Sequence, residues 1–160
     1  MKKEVSIRKA TIKDLKTVYE MQLKFAKHCI KNYNLGIFLN PEYLKKPYYE
    51  YIKKSLKSRK AFYLLLEKNG KQIGYSELRF TKPRPYSKYK KCAEITDLYI
   101  LPGNRKKGYG KLLLDSSIDF LKQKGCELVS LGVNLDNPSV KLYLRCGFKT
   151  DYLAMYKKLK

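Results

Sequence analysis

The sequence predicts a mixed α/β fold, with a central mixed, largely antiparallel sheet of six to seven strands and about four flanking helices. Three observations carry that expectation. Asn69-Gly70 separates two apolar, aromatic runs, 61–67 and 72–80, and is a strong short-range hairpin signal. Residues 93–133 read strand, helix, strand, a crossover that makes those two strands parallel. Ahead of both, Leu15, Val18, Tyr19, Leu23 and Ala26 recur at helical spacing.

Taken in order, Val5, Ile7 and Lys9 alternate with polar neighbours as a short first strand. Thr11, with Asp14 three residues on, reads as the cap of a helix running to about residue 30. Residues 31–47 read as irregular, punctuated by Gly36, Pro41 and Pro47, before a second helix through Ser58. A Pro- and Lys-rich loop, 81–91, precedes the strand Ala93 to Leu101. The helix Gly110 to Lys124 carries Leu113, Ser117 and Leu121 on one face and stops at Gly125. Leu128 to Val133 is the next strand. Asn137 and Pro138 then open a short helix as N-cap and first residue, Gly147 closes it, and Phe148 to Leu159 is the last strand. With no repeat, linker or composition break, residues 1–160 read as one domain.

The 160 residues carry 36 Lys and Arg against 14 Asp and Glu, a formal charge of +22. Of the basic residues 30 are Lys and only 6 are Arg, a poor match to groove and phosphate recognition by the planar Arg fork. The excess therefore does not by itself identify a nucleic-acid partner. Cys29, Cys92, Cys126 and Cys146 are too far apart for a metal knuckle or a Cys-x-x-Cys redox pair, so no metal is expected and the thiols read as packed. The N-terminus has no apolar run behind its lysines, and no stretch is long and apolar enough to span a membrane, so a cytoplasmic location is expected.

Chemistry concentrates in Leu101-Pro-Gly-Asn-Arg-Lys-Lys-Gly-Tyr-Gly-Lys111, between a strand and a helix. Glycines let backbone approach a ligand, and a helix start offers unpaired N–H groups at its positive end, an anion site with Lys106, Lys107 and Lys111 around it. Two phosphate loops are excluded by spacing. After Gly103 and Gly108, Tyr109 and Gly110 stand where a Walker loop needs Lys and Ser/Thr. Gly108-x-Gly110 lacks the third glycine of a dinucleotide fingerprint, because Leu113 occupies it.

Arg105-Lys-Lys-Gly108-Tyr-Gly110 resembles the pyrophosphate loop of the GNAT superfamily of N-acetyltransferases. Three further motifs follow the family pattern in register: Ile7-Arg8-x-Ala10-Thr11-x-x-Asp14, Asn69-Gly70-x-x-Ile73-Gly74 and Tyr143-x-x-x-Gly147-Phe148. The resemblance spans roughly residues 5–159. It implies acetyl-CoA as co-substrate, its pyrophosphate on the backbone amides from Arg105 to Gly110, including Lys106, Lys107 and Tyr109. It also implies that the parallel strands splay, with the pantetheine arm pairing with Leu98, Tyr99 and Ile100 and the Leu98 amide facing the thioester carbonyl.

The resemblance assigns catalysis to Glu94 and Tyr143. Glu94, 14 residues before Gly108, matches the family's base, which frees an amine of its proton. Asp97 competes, but strict alternation sends it to the opposite face. Tyr143 matches the acid that protonates the departing thiolate. Asn137 is the counterpart of a pantetheine contact, though one residue is missing between it and Tyr143, so its capping role alone also explains it. His28, the only histidine, is expected on the surface of the first helix.

The expected activity is transfer of an acetyl group to a primary amine of a protein or small molecule, by direct attack in a ternary complex. Tyr33, Phe38, Tyr43, Tyr48, Tyr49 and Tyr51 either grip that acceptor or form the apolar face of the second helix. The positive charge disfavours polyamines and is compatible with an acceptor on a ribosome or other nucleic-acid-bearing particle. Two other readings remain at this point: a basic nucleic-acid-binding module, and a CoA-binding regulator without turnover. A homodimer is left open.

Overall fold

The structure, a computed structural model, describes residues 5–33, 39–157 and 159. Gly36 and Phe38 of the region expected to meet the acceptor lie outside the described residues. Five strands form one sheet in the order β1 (Val5–Lys9), β2 (Ala61–Lys68), β3 (Lys71–Thr81), β4 (Cys92–Ile100), β5 (Leu128–Leu131). The first four pair antiparallel, and β4 pairs parallel with β5. Helices α1 (Leu15–Asn32) and α2 (Lys46–Lys57) cover one face. Helix α3 (Tyr109–Gln123) covers the other, and α4 (Val140–Arg145) follows β5.

Strand β2 is apolar without alternation because both its faces are covered. Phe62, Leu64 and Leu66 pack with Leu78, Ile95, Leu113, Leu114 and Leu121 under α3. Tyr63 and Leu65 pack with Val18, Met21, Ile52 and Tyr75 under α1 and α2. The predicted hairpin forms at Asn69 and Gly70, both with positive φ. Four residues further along β3, Gly74 lies against β4 so closely that a Cβ would sit 2.6 Å from Ile100 Cδ1 and 2.7 Å from the Tyr99 carbonyl oxygen.

Two expectations are corrected. Among the described residues the sheet has five strands, not six to seven, because residues 148–157 form no strand. Their sequence carries a β-like apolar run, but a strand exists only by pairing, and β5 offers a rim of just four residues. Tyr152, Leu153 and Met155 stand exposed instead. Asn137 and Pro138 do not begin a helix: α4 starts at Val140 after Ser139, and Asn137 Oδ1 accepts from the Ser139 amide at 2.9 Å in the turn before it.

The entry to α1 is built around one carboxylate. Asp14 accepts from the Thr11 amide at 2.8 Å, and Arg8 grips it with two N–H groups at 2.7 and 3.0 Å while a third reaches Glu67 at 2.9 Å. Arg8 above all, and then the Thr11 donors, hold the Asp14 pKa down at about 2.

Replacing Arg8 by Gln is expected to lower stability at neutral pH by about 0.5–1 kcal/mol, since the guanidinium is 41% exposed and screened. Asp14's folded pKa is depressed, so its contribution is present above its unfolded value and lost as pH falls through about 2. Urea midpoints of wild type and R8Q therefore converge as pH drops from about 4 toward about 2. Gly74→Ala is expected to cost about 1–3 kcal/mol in the same assay, because the new methyl meets backbone that cannot yield.

Candidate active site

Strands β4 and β5 run side by side only from Cys92↔Leu128 to Ile95↔Leu131. There β5 ends, two residues earlier than its sequence suggests, while β4 continues to Ile100. From Thr96 onward, the edge of β4 that faced β5 has no strand against it among the described residues. The register with β3 shifts at the same place: Leu78 pairs with Ile95 and Glu77 with Asp97, leaving Thr96 as an extra residue. Thr96 Oγ1 donates to the Glu77 carbonyl at 3.3 Å.

This bulge overturns the alternation expected of β4. Ala93 and Ile95 face α3, and so do Leu98 and Ile100 beyond the extra residue. Tyr99 joins the opposite core. Asp97 therefore lies on the α1–α2 face, the same face as Glu94, and not opposite it. Tyr99 packs against Phe25 and His28, with the Arg105 guanidinium 5.4 Å from its ring centre.

The loop after β4 is held by its own side chains. Arg105 Nε donates to the Ile100 carbonyl at 2.9 Å, and Lys107 Nζ donates to that of Gly103 at 2.8 Å. Lys106 has φ 57° and Gly108 has φ 81°, a left-handed conformation that favours glycine at the helix entrance. Gly108 caps α3 without a side chain, and no acid stands in the first turn. The amides of Tyr109, Gly110 and Lys111 thus precede the first intrahelical bond, Leu112 N to the Gly108 carbonyl. This uncapped N-terminus, with exposed Lys106 and Lys107 beside it, fits a pyrophosphate. Lys111 already pairs with Asp115 at 2.6 Å.

Tyr143, on α4, is mostly buried, its ring edge-on to Phe148 at 6.0 Å. Burial first, and the charge of Asp97 second, push its hydroxyl pKa up to about 12, so it stays a proton donor at neutral pH. Asn137 is engaged by its turn. Glu94 is half-buried between Arg79 on β3 and Ser130 on β5, and its side chain makes no ion pair or hydrogen bond among the described residues. His28 is not simply on the surface. It lines an open cleft of about 590 Å³ with Lys24, Lys27, Lys31, Tyr99 and Leu101, and burial, then Arg105 and Lys31, lower its pKa. Tyr48, Tyr49 and Tyr51 of α2, with Tyr43 in the turn before it, pack on one another or on Tyr19.

The largest feature absent from the sequence reading is a buried polar cluster beneath α1 and α2. Gln22, 0% exposed, donates from Nε2 to Glu77 Oε2 at 2.7 Å and to Asp97 Oδ2 at 3.0 Å. The Tyr75 hydroxyl donates to Asp97 Oδ2 at 2.8 Å. Glu77, 3% exposed, is ion-paired with Arg79, whose Nε lies 2.6 Å from Oε1 and whose Nη2 reaches Ser55 Oγ at 2.8 Å. Burial above all, then the adjacent Glu77, holds the Asp97 pKa well above the usual carboxylate range; the Tyr75 and Gln22 bonds oppose this. A signal was available: Gln22 interrupts the buried stripe Val18, Met21, Ala26, and Glu77 and Arg79 occupy alternate positions of an otherwise buried strand.

Comparison with known proteins agrees with this architecture. The profile of the acetyltransferase (GNAT) family matches residues 24–148. An uncharacterised N-acetyltransferase of Methanocaldococcus jannaschii is 28% identical over 98% of this chain and 68% of its own. A provisional [ribosomal protein bS18]-alanine N-acetyltransferase of Bacillus subtilis is 27% identical over 93% of this chain and 83% of its own. An aminoglycoside N-acetyltransferase crystallised with CoA superposes with a TM-score of 0.78 at 16% identity, covering 100% of this chain and 98% of that one. In this forked sheet the free strand leads into an uncapped helix, which sets a backbone pairing edge beside an anion site. The chain belongs to the GNAT acetyltransferase family. No helix among the described residues is long and apolar enough to cross a membrane.

Arg79→Met is expected to destabilise the protein by about 3–5 kcal/mol in urea unfolding, because it strands the Glu77 carboxylate in the interior. Replacing Glu77 and Arg79 together by Leu should cost far less.

Proposed function

We propose that the chain, acting as one catalytic domain, transfers the acetyl group of acetyl-CoA to a primary amine by direct attack in a ternary complex. The observation that carries this reading is the continuity of two surfaces: the edge of β4 unpaired from Thr96 to Ile100, and the uncapped start of α3. Backbone of Leu98, Tyr99 and Ile100 would align the pantetheine arm as a neighbouring strand aligns. The amides from Arg105 to Gly110, with Lys106 and Lys107, would hold the pyrophosphate. The Leu98 amide would stabilise the oxyanion that develops as the amine adds. Tyr143, kept protonated, would supply the thiolate's proton. A carboxylate on the α1–α2 face of β4 must accept the amine's proton; Glu94 is the position expected from the sequence, and Asp97 shares its face.

Relatives named for a ribosomal-protein alanine and for streptothricin support protein and small-molecule acceptors alike. The charge of +22 supports an acceptor displayed beside nucleic acid, whose use should fall steeply with salt.

At one hundred times its dissociation constant, acetyl-CoA should raise stability by about 2.7 kcal/mol in thermal unfolding, and an RNA oligomer should not match it. No shift with acetyl-CoA or CoA overturns the reading. Tyr143→Phe should lower kcat by about 100-fold with acetyl-CoA affinity nearly unchanged, measured as thiol release across an amine panel.

A further inference from the structure

We propose that the buried Gln22–Glu77–Asp97 cluster receives the acceptor's ammonium group and that Asp97 takes its proton. The inference rests on the acetyltransferase reading above and deepens it.

Position comes first. Asp97 follows the extra residue Thr96 and precedes Leu98, so it is the first carboxylate beyond the point where β5 leaves β4. Glu94 lies before that point, opposite Ser130, in the stretch that β5 still covers. The carboxyl of Asp97 is enclosed by its hydrogen-bond partners, while the residue as a whole is only partly buried.

The second observation is an unpaired acceptor. The orientation of the Gln22 amide is dictated by its neighbours, since carboxylate oxygens only accept and Nε2 must face both. Its Oε1 is then left buried with no donor among the described residues. Buried carbonyl oxygens are rarely left so, and an orphan beside two carboxylates calls for an N–H group from outside. A primary ammonium brings three. One proton can go to Asp97 while another N–H satisfies Gln22 Oε1, with Glu77 adding attraction.

The surrounding groups leave Asp97 as the exchanger. It is faced by Tyr75, Glu77 and Arg79 from β3, Gln22 and Cys29 from α1, Tyr48 and Tyr51 from α2, and Tyr143 from α4. Burial pushes the Cys29 thiol up to about 11 and Tyr51 to about 12, and raises Tyr48 and Tyr75 as well, so these stay protonated near neutrality. Arg79 is tied to Glu77 and Ser55. Burial beside Glu77 raises the proton affinity of Asp97 toward that of an amine, which makes it a better acceptor than a solvated carboxylate.

The step balances. The ammonium gives one proton to Asp97, and the freed nitrogen lone pair forms the N–C bond to the thioester carbonyl carbon. The C–S bond breaks as Tyr143 delivers a proton to the thiolate, and the nitrogen's second proton passes to the Tyr143 phenolate and restores the phenol. Asp97 returns its own proton to water. Ammonium and thioester become amide, thiol and one released proton. Asp97 is the catalytic residue here; Glu77, Arg79 and Gln22 are positioning residues.

The experiment combines kinetics with titration of the full chain. With acetyl-CoA and a panel of unbranched primary amines and an alanyl tripeptide, Asp97→Asn is expected to lower kcat/KM by about 100-fold, with acetyl-CoA affinity within threefold of wild type. Asp97→Glu should recover part of the rate. Glu77→Gln should move the acidic limb of the pH profile to lower pH, a shift that loss of packing would not produce. Carbon-13 NMR of the Asp97 carboxyl in the ligand-free protein should give a midpoint above the ordinary carboxylate range, lowered in Glu77→Gln. An ordinary midpoint overturns the proposal, as does near-wild-type turnover in Asp97→Asn or a loss that follows Glu94→Gln instead. Failure of acetyl-CoA to bind is read separately, by calorimetry, and overturns the acetyltransferase reading.

Discussion

Much of this molecule depends on one extra residue in one strand. Without the bulge, with Thr96 taking a regular place in the pleat, β4 would send Asp97 to the apolar α3 core and Leu98 to the polar side. With it, apolar side chains sit toward α3 on both sides of the bulge, and the carboxylate turns toward Gln22 and Tyr75. The bulge coincides with the end of β5, so the same few residues that re-aim a side chain also leave a backbone edge unpaired. Bulges strengthen local twist, which is compatible with two parallel strands parting there.

Each part that surrounds this point has its own support. Gly74 brings β3 close against Tyr99 and Ile100, which fixes the far end of the free edge. Arg105 ties the following loop to the Ile100 carbonyl. On the other face of the sheet, Ser76 and Ser117 share a buried hydrogen bond of 2.8 Å that joins β3 to α3. The few acids are drawn into such tasks: Asp14 accepts from the Thr11 amide at the entry to α1, Glu127 accepts from the Lys90 and Lys91 amides, and Glu77 pairs with Arg79. The lysines remain mostly outside, so the large positive charge is a property of the surface more than of the site.

Most of the frame was legible because it rests on local rules. Asn69-Gly70 marked its turn, the 3.6-residue period marked α1 and α3, and the strand–helix–strand order marked the parallel pair. The loop from Arg105 to Gly110 was legible because glycine at a helix entrance has a backbone reason. What escaped was non-local. A bulge has no mark of its own in Ile95-Thr96-Asp97, so the two-residue period predicts the wrong face for Asp97. The Gln22–Glu77–Asp97 cluster joins residues 55 and 75 positions apart, and no spacing rule reaches that far. The last strand failed for the opposite reason: its composition looked right, while pairing depends on a neighbour that is only four residues long.

The loop after β4 has a further consequence for kinetics. Lys106 holds a backbone conformation uncommon for a side-chain-bearing residue, and Arg105 and Lys107 are each tied to a carbonyl within the same segment. Its conformational entropy is thus spent during folding, before any ligand arrives. On the proposed reading, an incoming anion would meet a receptor already in shape, with lysines whose long-range field would draw it in. Encounter would then resemble the docking of two rigid bodies, and residence time, more than arrival, would be the variable that single substitutions in this loop tune.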